Sequence, residues 1–554
     1  MKSTMQESPL LISRILLSGT RLHGDQEVVT WTADGPRRAT YAEVGTQAAQ
    51  LANALRGLGI DGDQRVATFM WNNAEHLVTY LAVPSMGAVL HALNIRLFPE
   101  QLIYVTNHAQ NQVVVLDNSL AEPFSRLLLP HLSTLRHVIV NGPVPDAVRV
   151  ALESAPQIEA VHDWDTLLSA QPTTFEWPAL DERDASSMCY TSGTTGNPKG
   201  VVYSHRSNYL HTMLVPFAMG YGQGDRLLAV VPMFHANAWG LPYAALMMGA
   251  SLIMPDRFLQ AEPLAKMIEA ERVTGGGAVP TIWTDLLRYL DQHPTDTSSL
   301  RTVIVGGAAC PPSLMKAYQD RHDIKVIHAW GMTEMSPLGS TAIAPVETTG
   351  DEEWFYRRTQ GRIASSIDAR LVGPDGTEMP WDGESVGELE VRGPWVTGSY
   401  YDNGTNTEAE RADAASKFDD GWLRTGDVGS VTANGFLQLT DRSKDVIKSG
   451  GEWISSVALE NALMAHPDVL EASVVGVPDD KWGERPLATV VRAAGSVIAS
   501  AALKEFLASK VAGWQVPERW AFIDEVPKTS VGKFDKKVLR KRYAEGELSV
   551  ETLT

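Results

Sequence analysis

Between Tyr190 and Gly200 the chain reads Tyr-Thr-Ser-Gly-Thr-Thr-Gly-Asn-Pro-Lys-Gly: three glycines, three threonines, a serine and one lysine in eleven residues. Such a stretch can hold phosphate. Glycines such as Gly193 let backbone N–H groups approach an anion and take positive φ where a concave turn needs it. The hydroxyls of Thr191, Ser192, Thr194 and Thr195 add donors, and Lys199 adds a positive charge for phosphate oxygens. This is not a Walker A loop, which wants Gly-Lys-Ser/Thr; here Pro198 precedes Lys199 and Gly200 follows it. A featureless Gly/Ser/Thr linker is the plain alternative, and the apolar run Val201-Val202-Tyr203 argues for an ordered element instead.

Three further segments end an apolar run in unusual residues, where open α/β sheets bind ligands. Val303–Ala308 closes in Gly306, Gly307 and Ala308, small enough for a flat base to lie against backbone. Val326–Glu334 closes with Trp330, Thr333 and Glu334. Trp330 would stack on an adenine, and Thr333 with Glu334 would hold a Mg²⁺ shared with phosphate oxygens. Pro232–Gly240 carries His235 and Trp239 four apart, a spacing that shares one face of a helix. Each has a structural alternative when taken alone: a core tryptophan, a surface carboxylate, a satisfied core histidine.

The elements that must position these residues alternate. Apolar runs at Val66–Met70, Val113–Leu116, His137–Val140, Leu227–Val231, Leu252–Met254, Val303–Val305 and Val326–Ile327 suit parallel strands buried on both faces. Helices are expected after the capping box Thr40-Tyr-Ala-Glu43, over Pro263–Val273 and over Pro311–Arg321. Composition changes near Gly387: Glu388–Arg392 alternates like a half-exposed strand, and Asn403–Asp420 is polar and acidic. Beyond Asp441 come helix Ser456–His466, strands Ala472–Val477 and Leu487–Val491, and helices Ala501–Val511 and Lys536–Ala544. The expected fold is α/β, a large N-terminal domain of α/β subdomains with mostly parallel sheets over residues 1–443. A small mobile α+β C-terminal domain follows over 444–554, with the charged stretch Asp441–Asp445 as hinge.

Bulk numbers narrow the classes. A chain of 554 residues exceeds one core, and a net charge of −19 argues against general nucleic-acid binding. Two cysteines, Cys189 and Cys310, make no disulfide framework and suit a reducing, cytoplasmic setting. No signal peptide is expected from a start carrying Glu7 and Pro9 before any apolar run. Leu227–Pro255 lacks Asp, Glu, Lys and Arg and is long enough to span a bilayer. Its Pro232, His235, Asn237, Gly240 and Pro242 would leave polar groups unpaired in lipid, so a buried strand, helix and strand is expected.

Taken together these segments resemble the adenylate-forming superfamily of acyl- and aryl-CoA synthetases, luciferases and peptide-synthetase adenylation domains. The likeness keeps the family's order over nearly the whole chain: Tyr190–Lys199, Pro232–Gly240, Gly306–Ala308, Trp330–Glu334, Gly421–Asp427, Asp441–Trp453 and Pro527–Lys533. The resemblance implies that Asp427 binds ribose hydroxyls and Arg442 contacts ribose or phosphate. Gly331 and Met332 would join Trp330 and Thr333 at the nucleotide, with Trp453 near the adenine side. Thr194 and Glu334 would serve Mg²⁺, Lys533 would be the catalytic lysine, and His235 and Glu334 would stand with it. Lys444 matches the hinge residue, and Gly450, Gly451 and Glu452 would face the pantetheine channel of CoA.

The implied reaction takes an acid and ATP to acyl-AMP and pyrophosphate, then to a CoA thioester. Peptide-synthetase domains usually place an Asp within the segment matching Pro232–Gly240, and none is there, which argues against an amino acid. Phe-His-Ala-Asn-Ala-Trp-Gly with Ser449–Ser456 is most similar to fatty acyl-CoA synthetases, where the residue matching Trp239 gates an acyl tunnel. Pro337 would also line the acid site. Trp330–Pro337 resembles medium-chain synthetases and ligases for short thioether acids such as 3-methylmercaptopropionate too. A medium-chain fatty acid is the expected substrate, the short thioether acid its rival, and a silent nucleotide-binding homologue the reading from another class. No carrier domain follows the last residue, so free CoA is the expected acceptor, and a homodimer is common among similar synthetases.

Overall fold

Runs of β-branched and aliphatic residues become parallel strands where helices cover both faces. The computed structural model describes residues 1–191, 197–450, 452–529 and 532–553, without the side chains of residues 452 and 453. Among the described residues the strands form three sheets. In the first, Ala160–Asp163, His137–Asn141, Asn111–Asp117, Arg65–Phe69, Val89–Ala92 and Ala185–Tyr190 lie side by side in parallel, and Gly200–Ser204 closes the edge antiparallel. The second runs in parallel through Glu27–Thr32, Ser251–Met254, Arg226–Leu228, Gly275–Ala278, Thr302–Val305 and Lys325–Gly331. It then continues antiparallel through Leu338–Thr341, Gly361–Ile363, Phe436–Arg442 and Trp422–Val431. The third is built from Ile447 onward around the antiparallel pair Val469–Asp479 and Gly483–Arg492. A large N-terminal domain of mostly parallel sheets thus carries a smaller C-terminal one.

Local rules place the helices. Tyr41–Gly57 starts at the capping box of Thr40 and Glu43 and buries Val44, Ala48, Leu51 and Leu55 on one stripe. Each large aliphatic side chain there contributes about 1.5–3 kcal/mol by leaving water. Ala261–Ala270, Pro312–His322, Ser456–Met464, Ser500–Ala508 and Lys536–Ala544 occupy the expected positions with shifts of a turn or less.

Three local features depart from the sequence reading. The strand expected over Leu227–Val231 stops at Leu228, because Asn72 Nδ2 donates to the carbonyls of Ala229 (2.7 Å) and Val231 (2.8 Å) in place of a neighbouring strand. His235 and Trp239 do not share a right-handed helix face. Ala236, Asn237, Ala238 and Trp239 hold φ of 42°, 54°, 50° and 57°, and Gly240 follows at 77°, a left-handed turn. Such backbone costs about 1–2 kcal/mol per non-glycine residue. It is held by Asn237, whose buried Nδ2 donates to Asn208 Oδ1 (3.2 Å) and Ser187 Oγ (3.3 Å). Finally, the acidic stretch after Asn403 contains a helix, Glu408–Ala415, opened by a second capping box from Thr407 and Glu410.

Candidate active site

The Gly/Thr stretch lies between two antiparallel strands, Ala185–Tyr190 and Gly200–Ser204. Tyr190 and Gly200 pair as the last strand residues, and Thr191 and Lys199 close the neck. Thr191 N donates to Lys199 O (2.9 Å), and Lys199 N donates to Thr191 Oγ1 (3.2 Å). Ser192, Gly193, Thr194 and Thr195 lie outside the described residues, so the hydroxyl donors and the Thr194 metal assignment do too. Lys199 does not stand as a free phosphate donor. Its Nζ is 2.5 Å from Asp413 Oδ2, and Asn197 Nδ2 donates to Glu410 Oε1 (2.9 Å), so the helix Glu408–Ala415 grips this end of the loop.

The strand ends deliver the other groups. After Thr302–Val305 the chain turns at Gly307, φ 79°, and Lys533 lies directly above it. A Cβ on Gly307 would sit 3.3 Å from Lys533 Cε and 3.9 Å from its Nζ. Ala308 is exposed at the cleft, beside buried Gly306. After Lys325–Gly331 comes the largest correction. Trp330 is no stacking platform: its ring is buried against Gly339, where a Cβ would come within 2.4 Å of it, and Met335. Its indole N–H donates to Asp427 Oδ2 (2.8 Å), so this tryptophan positions the ribose-binding candidate. The other oxygen of Asp427 receives Arg442 Nε (2.7 Å), across paired strands in which the two residues stand opposite.

Gly331 fits because the carbonyl of Pro337 presses on it: a Cβ there would lie 2.0 Å from that oxygen, and Met332 N donates to it at 3.0 Å. Thr333 O accepts from Tyr203 Oη (2.7 Å), and buried Glu334 accepts from Tyr400 Oη at Oε1 (2.6 Å). One buried carboxylate with hydroxyl neighbours fits a Mg²⁺ shared with phosphate oxygens, since that ion is commonly held by one or two carboxylates plus substrate.

The charges converge. Burial and then Arg442 push the half-buried Lys533 amine down to about 8, while Asp427 and Glu334 pull it the other way. Burial, then Lys533 and Arg96, push His235 down to about 3, so it is a neutral imidazole at pH 7 and serves only as a hydrogen-bonding or packing group. The Trp239 ring lies over Gly277 and Gly306, where added Cβ atoms would meet it at 3.4 and 3.2 Å.

At the chain's charged boundary, Arg540 Nη2 donates to Lys444 O (3.3 Å) and to Asp445 Oδ1 (2.7 Å), and burial lowers the Lys444 amine. Gly450 holds φ 62°, and Trp482 packs where its Cβ would be (2.6 Å). Gly451 and the side chains of Glu452 and Trp453 lie outside the description; the backbone of Glu452–Ile454 pairs with Ile447–Ser449. Sequence reasoning missed Tyr400, Asp413 and the strand Gly275–Ala278. A run of three glycines was the visible signal for the last, and nothing local marks the other two.

The arrangement has known counterparts. The AMP-binding enzyme family matches residues 19–401, and the AMP-binding enzyme C-terminal domain matches residues 458–533. The chain is 41% identical to the 3-methylmercaptopropionyl-CoA ligase of Ruegeria lacuscaerulensis, over 98% of this chain and 99% of the relative. It is 39% identical to the medium-chain-fatty-acid–CoA ligase of Ectopseudomonas oleovorans, over 98% of each. In three dimensions it resembles the anthranilate CoA ligase AuaEII in complex with anthranoyl-AMP, with a TM-score of 0.85 and 25% identity over 99% of this chain and 100% of that one. With its cleft, its charges and these relatives in agreement, the chain belongs to the AMP-binding enzyme family and is an acid–CoA ligase that uses ATP, Mg²⁺ and CoA.

Proposed function

We propose that this ligase activates a medium-chain fatty acid. The observation that supports the first step is Lys533 standing over Gly307 within the field of Arg442, Asp427 and Glu334. A carboxylic acid is already ionised at pH 7, so no general base is needed. A carboxylate oxygen bonds to the α-phosphorus of ATP as the bond to the pyrophosphate oxygen breaks. The task of the site is to relieve repulsion between anions. Lys533 supplies a charge at the carboxylate and α-phosphate, Asp427 holds the ribose, and Arg442 fixes Asp427. Glu334 would hold Mg²⁺, which neutralises phosphate charge. In the second step the CoA thiolate attacks the acyl carbonyl and AMP leaves. We place the domain boundary at Lys444, about which the small domain would turn to withdraw Lys533 and bring Gly450–Glu452 to the thiol.

For the acid, the support is Trp239 packed against bare glycine beside an apolar cluster that includes Leu214, Leu241, Met247 and Met248. The identity to 3-methylmercaptopropionyl-CoA ligase favours a second reading, a short thioether acid. Pyrophosphate release measured with acids from acetate to palmitate and with 3-methylmercaptopropionate, with and without CoA, decides between them. A peak from hexanoate to decanoate with CoA-dependent AMP release is expected. A peak at the thioether acid selects the second reading, and no release with any acid sinks both. The same reading sets the protein in a reducing cytoplasm, where buried Cys189 and Cys310 stay thiols, and a homodimer is the assembly to test by sedimentation.

A further inference from the structure

The geometry points to Tyr221 as the stop that closes the far end of the acyl site and limits tail length. This rests on the reading of Trp239 as the gate of that site and adds the residue that sets its depth. The strand Gly275–Ala278 offers three successive glycines, and residues two apart on a strand face the same side. Gly275 and Gly277 therefore share one face. It is the face turned to the helix His205–Met219, because Trp239, Tyr221, Ile304 and Ala329 all belong to one apolar cluster there. Val303, Val305 and Trp283 belong to the cluster on the opposite face.

Two aromatic rings stand in series on this glycine floor. Trp239 covers Gly277. Tyr221 covers Gly275 so closely that a Cβ there would lie 2.3 Å from Cε1. The rings are held differently. Trp239 is half-buried and ends a left-handed turn of strained backbone. Tyr221 is buried, and its hydroxyl is tied to the strands beneath it: it accepts from Gly276 N (3.0 Å) and donates towards Thr302 O (3.3 Å) and Gly276 O (3.4 Å). The first ring can swing on its turn, whereas the second can leave only by stripping hydrogen bonds from two strands. A tail that displaces Trp239 runs along bare glycine and meets Tyr221 two strand residues on, about 6.6 Å further. That is room for a few methylenes and not for a long chain.

The test is the chain-length profile of kcat/KM for acyl-CoA formation by the full-length enzyme, from butanoate to palmitate, in wild type, Tyr221→Phe and Tyr221→Ala. Tyr221→Phe keeps the ring but loses the hydrogen bonds that hold it, and is expected to shift the profile less than Tyr221→Ala. Tyr221→Ala is expected to move the peak to longer acids, with each methylene newly accommodated raising relative kcat/KM about fourfold. If Tyr221→Ala does not fold, Tyr221→Leu carries the same expectation. An unchanged profile in a folded, active variant overturns the proposal, as does an equal shift in Tyr221→Phe, which would assign the effect to the hydrogen bonds. Best activity of the wild type with palmitate overturns both the stop and the medium-chain reading. Best activity with 3-methylmercaptopropionate overturns only the latter, and the stop is then judged by whether Tyr221→Ala gains longer acids.

Discussion

The role proposed for Lys533 requires its charge, and its surroundings set when it carries one. An amine held at about 8 is mostly protonated at pH 7 and loses its proton as pH rises through that value. In the free enzyme kcat/KM for ATP in pyrophosphate release is therefore expected to fall tenfold per pH unit above about 8. An arginine does not titrate there, so Lys533→Arg should remove this limb whatever its absolute rate. Lys533→Ala should be slower by about a hundredfold or more, as for loss of one preorganised donor to developing charge. A pH profile in Lys533→Arg identical to wild type would assign the limb to another group. Trp330 acts one step back. Trp330→Phe keeps an aromatic ring and removes the N–H on Asp427, so the KM for ATP should rise about tenfold, the worth of a hydrogen bond to a charged group, with kcat nearly unchanged. A fall in kcat alone, measured over an ATP titration, would detach Trp330 from ribose binding.

At the scale of elements, what the sequence revealed followed local rules and what it hid depended on distant partners. The parallel strands were legible because Val, Ile and Leu runs need no partner to announce burial, and the capping box of Thr40 and Glu43 is written in residues three apart. The strand Gly275–Ala278 was signalled only by its glycines and lacks the usual aliphatic pattern, since the rings of Tyr221 and Trp239 fill the space its side chains would take. The left-handed turn was hidden too: Ala-Asn-Ala-Trp has ordinary right-handed propensity, and Asn237 holds it through Ser187 and Asn208. Lys199 is the clearest case at the site. Its positive charge was readable, but its partner Asp413 stands on a helix more than two hundred residues later in the chain. If Lys199 serves phosphate as the sequence implies, that helix competes for the same ammonium. Asp413→Asn should release Lys199 and lower the Kd for ATP up to about fivefold, the upper range for a partly exposed ion pair. Weaker ATP binding, read by calorimetry, would instead make Asp413 the residue that aims Lys199.

For the whole molecule the question is which contacts belong to the orientation seen here. Several cross the boundary proposed at Lys444. Asp441 Oδ2 accepts from Ser456 N (2.8 Å) and from Ser456 Oγ, at the N-terminus of the helix Ser456–Met464, where a carboxylate is also favoured by the helix dipole. Ser455 Oγ donates to Thr440 O, and Arg288 Nη2 donates to Leu470 O (3.2 Å). They cross the boundary while Lys533 stands over Gly307, the arrangement proposed for adenylation, and a turn at Lys444 would have to release them. Two substitutions should then have opposite signatures. Asp441→Ala removes a charged acceptor worth about 1.5–3 kcal/mol, and is expected to slow pyrophosphate release about tenfold or more while sparing thioester formation from added acyl-AMP. Lys444→Pro fixes φ near −65° and restricts Ser443 before it, and is expected to spare pyrophosphate release and block thioester formation. Assaying each half-reaction separately in both variants decides the matter. If both lose the two activities in equal measure, Asp441 and Lys444 merely support the fold, and the small domain completes both steps from the position it holds here.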